Sequence, residues 1–282
     1  QMRLLGTNNI VITPVEEQKE GEVQDQKAAT PRKFTPGLRY ADAQAIAATI
    51  PNVDASTGEI VLNTMITREG RHRSAKLVGV DSSYFRIMNL GLDAGAPFTF
   101  DQVRNGLPVA VIGAGVKARF FTRDDPLGQT IKVGQNWLTV VGVLADRPVS
   151  GQNAQRLGIR DANLDVYIPA PTMLLRYRNR ALVTQQEIEA ASKQTVTVAS
   201  EQPEEDPDVR AEKRNMNQLD RIIVRVDDAQ YVPGVADVLQ RMLARRHNTV
   251  VDFEVTVPEL LLKQEQRTRT IFNFVLGAIA SI

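Results

Sequence analysis

The sequence predicts an α+β fold, a pair of β-α-β units with a mostly β insertion between them. Two repeated passages and one central stretch carry that reading. Asn9 to Thr13, Tyr40 to Ile50 and the run from Val53 read as strand, helix, strand, and Arg221 to Val226, Pro233 to His247 and Val250 to Val257 repeat the order. Both helices are followed closely by a Val-Asp pair, Val53-Asp54 and Val251-Asp252, so two such units are expected to pack side by side. Between them, Pro108 to Val143 reads as a strand, a short helix, a charged loop and a hairpin, expected to form a separate lobe.

The elements follow from local pattern. Asn9-Ile10-Val11-Ile12-Thr13 is a β-branched run closed by Pro14, and Glu16 to Lys33 is polar enough to read as a solvated loop. Tyr40 to Ile50 is alanine-rich, carries Asp42 near its start and is stopped by Pro51. Val53 to Thr67 and Ser74 to Asp81 are strands separated by the turn Arg68-Glu69-Gly70-Arg71. Val109 to Ile112 suits a buried strand, and Val116 to Phe121 makes a brief helix ended at Thr122-Arg123-Asp124-Asp125-Pro126. Thr130 to Val133 and Trp137 to Val143 flank Gly134-Gln135-Asn136 as a hairpin. Leu164 to Pro169 adds a strand, and Arg221 to Val226 alternates cleanly. Pro233 opens the last helix, whose Val235, Val238, Leu239, Met242 and Leu243 share one face. Arg241, Arg245 and Arg246 fall mainly outside that face, as candidate partner contacts or simply a solvated surface. His247 at the helix end reads as a dipole or capping partner rather than a ligand.

Composition removes several function classes. The 282 residues are 43% hydrophobic and 24% charged, the balance of a folded chain of one large or two ordinary domains. A net charge of +1 and 5% aromatic content argue against a nucleic-acid partner. With no cysteine and only His72 and His247, thiol chemistry is excluded and no metal site is expected. G-x-S-x-G, H-E-x-x-H and the phosphate-loop pattern are all missing from the sequence. Gly113-Ala114-Gly115-Val116-Lys117-Ala118 does fit a dinucleotide fingerprint after a strand. That motif needs an acidic residue about 20 positions on to hold a ribose, and Gln135 to Val141 contains none. The plainer reading is that the glycines let the chain leave a strand, so no cofactor is expected.

The same central residues resemble a known family. VAVIG, the short helix ending in Phe120-Phe121, DPLGQTIKVG and LTVVGVLAD are similar to the periplasmic core domain of MacB-type, FtsX-like ABC transporter permeases. Upstream, Val80 to Phe85 followed by Gly95-Ala96-Pro97-Phe98 matches the family's "YF … G-R-x-F" passage, with Ala96 in place of its arginine. Downstream, Leu243 to Asn248 and Asp252 to Val255 match its "L-x-x-R-H … D-F-x-V" ending. The resemblance covers most of the chain but not residues 175–219. That stretch holds Arg176, Arg178 and Arg180 as further candidate contacts, then Glu201-Gln202-Pro203-Glu204-Glu205-Asp206-Pro207. Its acidic, proline-bearing part lacks the apolar surface to offset ordering, so a disordered loop or an exposed docking arm is expected over 176–218.

The resemblance implies a layout as well as a role. A porter-like subdomain is expected over 1–96 and 220–266, an inserted Sabre-like lobe over 97–219, and the start of a transmembrane helix over 267–282. Thr256-Val257-Pro258-Glu259 reads as a capping box opening the last helix. The apolar run 271–282 is twelve residues, shorter than the ~20 that cross a bilayer, so alone it fits a buried helix equally well. Its Gly277, Ala278, Ala280 and Ser281 suit membrane helix packing. Arg267 and Arg269 before it favour a cytoplasmic end under the positive-inside rule, and the resemblance points the other way.

On that reading the chain is the extracytoplasmic domain of an ABC permease of the inner (plasma) membrane, on its periplasmic or extracellular side. It is expected to do no chemistry, ATP being hydrolysed by a separate nucleotide-binding domain. Expected partners are a second permease copy, the ABC ATPase, a periplasmic adaptor and the membrane through the C-terminal helix. Movement of the membrane helices is then transmitted to export or extraction of a peptide, lipoprotein or amphipathic drug. Two other readings stand beside it: an FtsX-like scaffold that relays ATPase state to an envelope enzyme, and a dinucleotide-dependent enzyme built on Gly113 and Gly115.

Overall fold

Short β-branched runs and two alanine- or leucine-bearing helices set the frame. The structure, a computed structural model, describes residues 8–15, 37–122, 124–147, 162–177, 217–249 and 252–258. In chain order the elements are β1 (Asn9–Pro14), α1 (Tyr40–Thr49), β2 (Val53–Arg68), β3 (Arg71–Val80), α2 (Ser83–Ile87), β4 (Leu92–Gly95), α3 (Phe100–Arg104) and β5 (Val109–Ile112). They continue with α4 (Ala114–Phe120), β6 (Thr130–Val133), β7 (Asn136–Leu144), β8 (Val166–Pro169), α5 (Ala170–Arg176), β9 (Arg221–Val226), α6 (Val232–Arg246) and β10 (Phe253–Thr256). Within the described residues, each long strand and helix that the pattern predicts is present within a few residues; the helix expected beyond Pro258 lies outside them. The turn after β2 is a two-residue hairpin loop, with Glu69 at φ 50° and Gly70 at φ 76°. Both central residues with positive φ match the right-handed twist of the flanking strands.

The two β-α-β units interleave; they do not lie side by side as the repeat suggests. The strand order is β10-β1-β9-β2-β3-β8-β5-β7-β4. β9 pairs antiparallel with both β1 and β2, and β1 pairs antiparallel with β9 and β10. Each unit therefore leaves a gap one strand wide that a strand of the other unit fills. The physical gain is a common face: Ile10, Ile12, Ile222 and Val224 are buried in one cluster with Ala43 and Ile46 of α1 and Val235, Leu239 and Leu243 of α6. Sequence repeats specify which residues are apolar, not which strand sits beside which.

β2 continues beyond this four-stranded sheet into a second structure. Its first part, from Val53 to Glu59, pairs with β9, and from Ile60 to Arg68 it pairs with β3. At Ile66 and Thr67 it also pairs with β6. β3 runs parallel to β8, β8 antiparallel to β5, β5 parallel to β7, and β7 antiparallel to β6. Six strands thus close on themselves as a small barrel, β2-β3-β8-β5-β7-β6. Closure removes free edges that would otherwise template aggregation. The ring is not a lobe detached from the units, because β2 is a stave of both. At 16 residues, β2 spans about 50 Å.

The inside of the ring is filled by Ile66, Leu77, Ala110, Ile112, Ile131, Val133, Leu138, Val140, Val166 and Ile168, packed with Val116, Phe120 and Phe121 of the α4 region and Met173 of α5. A second cluster lies on the other face of both sheets. There α2 places Tyr84, Phe85 and Ile87 against Val11, Ala55 and Ile223 of the four-stranded sheet and against Val78, Val111 and Tyr167 of the ring. Phe85 has ring centroids 5.5 Å from Phe98, 5.7 Å from Tyr167 and 6.1 Å from Tyr84. The segment 83–87 carries no helical periodicity of its own, and this packing makes it a helix.

Phe85 is 3% exposed at the join, whereas Phe100 at the start of α3 is 73% exposed. Phe85→Ala should cost about 3–5 kcal/mol in urea unfolding, with Phe100→Ala within about 0.5 kcal/mol of the parent. Similar losses for both would remove the clamp assigned to α2.

Candidate functional site

The arginines singled out in the sequence do not form one surface. Arg241 is exposed and pairs with Asp237 one turn back on α6. Arg245 is exposed and has no ion-pair partner among the described residues. Arg246 is not available in the way expected: its Nε lies 2.5 Å from Asp42 Oδ1 on α1. Arg176, at the end of α5, is exposed, and its Nε reaches the Gly106 carbonyl at 3.5 Å. Arg178 and Arg180, like most of 176–218 and the run 267–282, lie outside the described residues. Among the described residues no helix is long and apolar enough to cross a membrane, and no group of His, Asp and Glu has metal-binding geometry.

Arg246, itself exposed, is the outer member of a charge cluster whose Asp42 and His247 are buried and which the sequence does not show. His247 ends α6, is fully buried and donates to Asp252 Oδ1 through Nδ1 at 2.5 Å. Its Nε2 faces Asp42 Oδ2 at 3.5 Å, and Phe253 stands edge-on to the ring at 5.6 Å. Asp42 also accepts the Arg39 backbone N–H at 2.9 Å, which caps the first turn of α1. One carboxylate therefore joins α1 to the end of α6, and one imidazole joins α6 to the start of β10. Burial alone would lower the His247 pKa, but Asp42 and Asp252 outweigh it and hold it above the ordinary value. Burial would raise Asp42, yet hydrogen bonds from His247, Arg246 and the Arg39 N–H hold it below its ordinary value. The legible signal was slight: a helix-terminal histidine five residues before an aspartate. The partner on α1 is about 200 positions away in sequence and was not readable.

A second buried pair sits at the start of the same helix. Tyr40 donates its hydroxyl to Asp81 Oδ1 at 2.6 Å, and the Asp81 N–H donates to Thr57 Oγ1 at 3.3 Å. Burial pushes Asp81 up to about 6, against the smaller opposing effect of the Tyr40 hydroxyl. Burial, then the Asp81 charge, raises the Tyr40 pKa as well. The first three residues of α1 thus tie down three elements: β3 through Asp81, and α6 and β10 through Asp42 and His247. This arrangement holds parts together; its groups are committed to each other and present no nucleophile or open acid–base pair.

The glycine fingerprint has a packing explanation. A Cβ on Gly113 would sit 2.3 Å from the Asn163 carbonyl oxygen, and one on Gly115 would sit 2.8 Å from the Leu164 side chain and 3.0 Å from the same oxygen. The backbone at 162–164 occupies the space in front of the β5–α4 turn that a pyrophosphate would need, and Gly113 donates its N–H to the Asp165 carbonyl at 3.0 Å. The strand hydrogen-bonded to β5 on that side is the antiparallel β8, not the parallel strand of a dinucleotide fold. The dinucleotide-enzyme reading fails on this geometry.

The comparisons with known proteins agree on one family. A family model described as the MacB-like periplasmic core domain matches residues 2–242. The chain is 26% identical over 231 residues to the probable syringafactin export ATP-binding/permease protein SyfD of Pseudomonas syringae pv. syringae, covering 82% of this chain and 29% of that protein. It is 30% identical over 179 residues to the macrolide export ATP-binding/permease protein MacB of Sodalis glossinidius, covering 62% of this chain and 25% of that protein. The chain therefore spans less than a third of these relatives. The crystal structure of the periplasmic region of MacB from Actinobacillus actinomycetemcomitans matches with a TM-score of 0.63 at 18% identity, covering 94% of this chain and 96% of that one. That likeness is one of fold.

The two buried clusters act in separate pH windows. Asp81 is raised in the fold, so its protonated form stabilises; stability should fall as pH rises from about 4 towards about 6. Asp81→Asn should flatten that limb of a urea-midpoint profile; a slope unchanged in the variant would clear Asp81. His247 is raised too, so its contribution is complete below about 6.5 and is lost as pH climbs through its folded value. His247→Gln should remove that alkaline decline and cost about 3 kcal/mol at pH 6, because it removes the buried cation that Asp42 and Asp252 share.

Proposed function

The chain belongs to the MacB-like periplasmic core domain family, and from that premise we propose that it is the extracytoplasmic part of an ABC-transporter permease that transmits movement of the membrane helices to substrate export. One observation carries the reading. A continuous set of backbone hydrogen bonds runs from β10 through β1 and β9 to β2, and β2 is also a stave of the ring. β10 is the strand from which the chain leaves towards Pro258 and the C-terminal segment. A pull or rotation delivered there reaches the ring through paired strands rather than through a loop.

In this reading residues 267–282 are the start of a transmembrane helix, and the ring corresponds to the inserted Sabre-like lobe, the interleaved units to the porter-like pair. ATP is hydrolysed in a part of the protein outside these residues, as the relatives' names, which join ATP binding to a permease, support. The exported substrate is an amphipathic molecule, in keeping with relatives named for macrolide and syringafactin export. A second permease copy and an envelope adaptor complete the machine.

The chain contains no cysteine, so one can be placed without background from this segment. Gln135, exposed at the tip of the β6–β7 hairpin, is a suitable position. In cells making the membrane-embedded protein, Gln135→Cys should react with a membrane-impermeant maleimide before lysis, after outer-membrane permeabilisation where there is one. Labelling only after lysis would place the domain in the cytoplasm and overturn the proposal.

A further inference from the structure

The ring's outer wall is covered by α2 and its aromatic cluster on one side and left open on the other. On the open side, register aligns Trp137 of β7 with Lys132 of β6, Lys132 with Thr67 of β2, and Thr67 with His72 of β3. This row is four strands wide, about 14 Å. The adjoining outward positions are Met65 and Asn63 on β2, which pair with Ser74 and Lys76 on β3. Their inward neighbours Ile66, Leu77, Val133 and Leu138 are buried, so the period of two puts all of these side chains on the outside.

Two features set this wall apart. Trp137, the chain's only tryptophan, is 60% exposed, and Met65 is 53% exposed. Large apolar side chains held on a rigid strand and left in water are the residues that anchor protein interfaces. Around them stand Lys76 and Lys132, neither with a carboxylate partner among the described residues, and within the ring portions of these four strands, from Ile60 onward in β2, the outward positions carry no Asp or Glu. Of the remaining positions, Thr67, Thr130, Thr139, Ser74 and Asn63 are short hydrogen-bonding side chains, and His72 lies 3.1 Å from the Thr67 hydroxyl.

We propose that this wall, centred on Trp137, docks an acidic surface of a different protein, one that presents carboxylates to Lys76 and Lys132 and an apolar hollow to Trp137 and Met65. The site goes beyond the assignment as a permease domain and does not depend on transport. Charge decides the class of partner. A second copy meeting this wall in an isologous dimer would set lysine against lysine. A lipid surface would need a broader apolar face than one tryptophan and one methionine among threonines and serines. An acidic protein surface satisfies both lysines and the hydrogen-bonding rows between them.

The test uses the position itself. A photoreactive benzoylphenylalanine at 137 in the membrane-embedded protein should crosslink in intact cells to one protein whose contacting surface is acidic. Lys76→Glu with Lys132→Glu should weaken that complex at least tenfold, and reversing the facing carboxylates on the partner to lysine should restore it. Trp137→Ala should weaken it to a comparable degree. All three side chains concerned are outside the core, so unchanged thermal melting of each variant will show that folding is intact. Crosslinks to lipid, to a second copy of this chain, to nothing, or to a protein whose binding ignores the lysine reversal would each overturn the assignment.

Discussion

The fold hangs on a strand that serves two sheets. β2 is hydrogen-bonded to β9 along its first part and to β3 and β6 along its second. A β-strand held by ladders at both ends bends and twists but does not stretch. The relative orientation of the four-stranded sheet and the ring is therefore set by the twist of one continuous backbone. The contacts around this strand reinforce that constraint. Leu38 accepts the N–H groups of Gln218 and Leu219, and Glu59, almost wholly buried, pairs with Arg221 at 2.8 Å. Val61 donates its N–H to Asp220 at 2.6 Å. All fall where β2 passes from one sheet to the other. The aromatic packing of α2 covers the same passage from the opposite side.

Polar groups do the corresponding work around the helices. The start of α1 gathers Tyr40, Asp42 and, through them, Asp81, His247 and Arg246. Buried ion pairs add little net stability once desolvation is counted, but they are unforgiving of displacement. That fits elements which must hold a fixed register relative to one another. α6 and β10 are kept against α1 by charges that tolerate only one arrangement, whereas the apolar contacts behind them tolerate sliding.

The sequence read well wherever local pattern decides structure and poorly wherever a distant neighbour does. The long strands, the two main helices, the Glu69-Gly70 turn and the β6–β7 hairpin were legible, because alternation, proline stops and turn residues act within a few positions. α2, α5 and β4 were not, since each is a short segment whose form comes from what it packs on; α3 has no buried residue and is held instead by a local capping box between Thr99 and Gln102. The repeat was real, but strand order was misread: an interleaved pair and a side-by-side pair have the same apolar pattern. Ring closure by β6 on β2 rests on a two-residue pairing across more than sixty positions. Arg246 is at the surface as read, 40% exposed, but the carboxylate that holds it lies on another helix and was not readable. The outer wall at Trp137 was also passed over: a tryptophan opening a strand reads as core, and only the register of four strands shows it facing out.

The separation of the ring's two faces has a consequence for how such a protein can change. Inward positions are bound by mutual packing, so a substitution there is felt by the whole barrel. Outward positions on the open wall touch little else in the molecule. Alternate residues of one strand are thus governed by two independent sets of requirements, one for standing up and one for choosing company. A lineage can rewrite the second set, residue by residue, while leaving the first untouched. Shifting a strand by a single position would exchange the two sets at once, which makes register, more than composition, the quantity such a domain must protect.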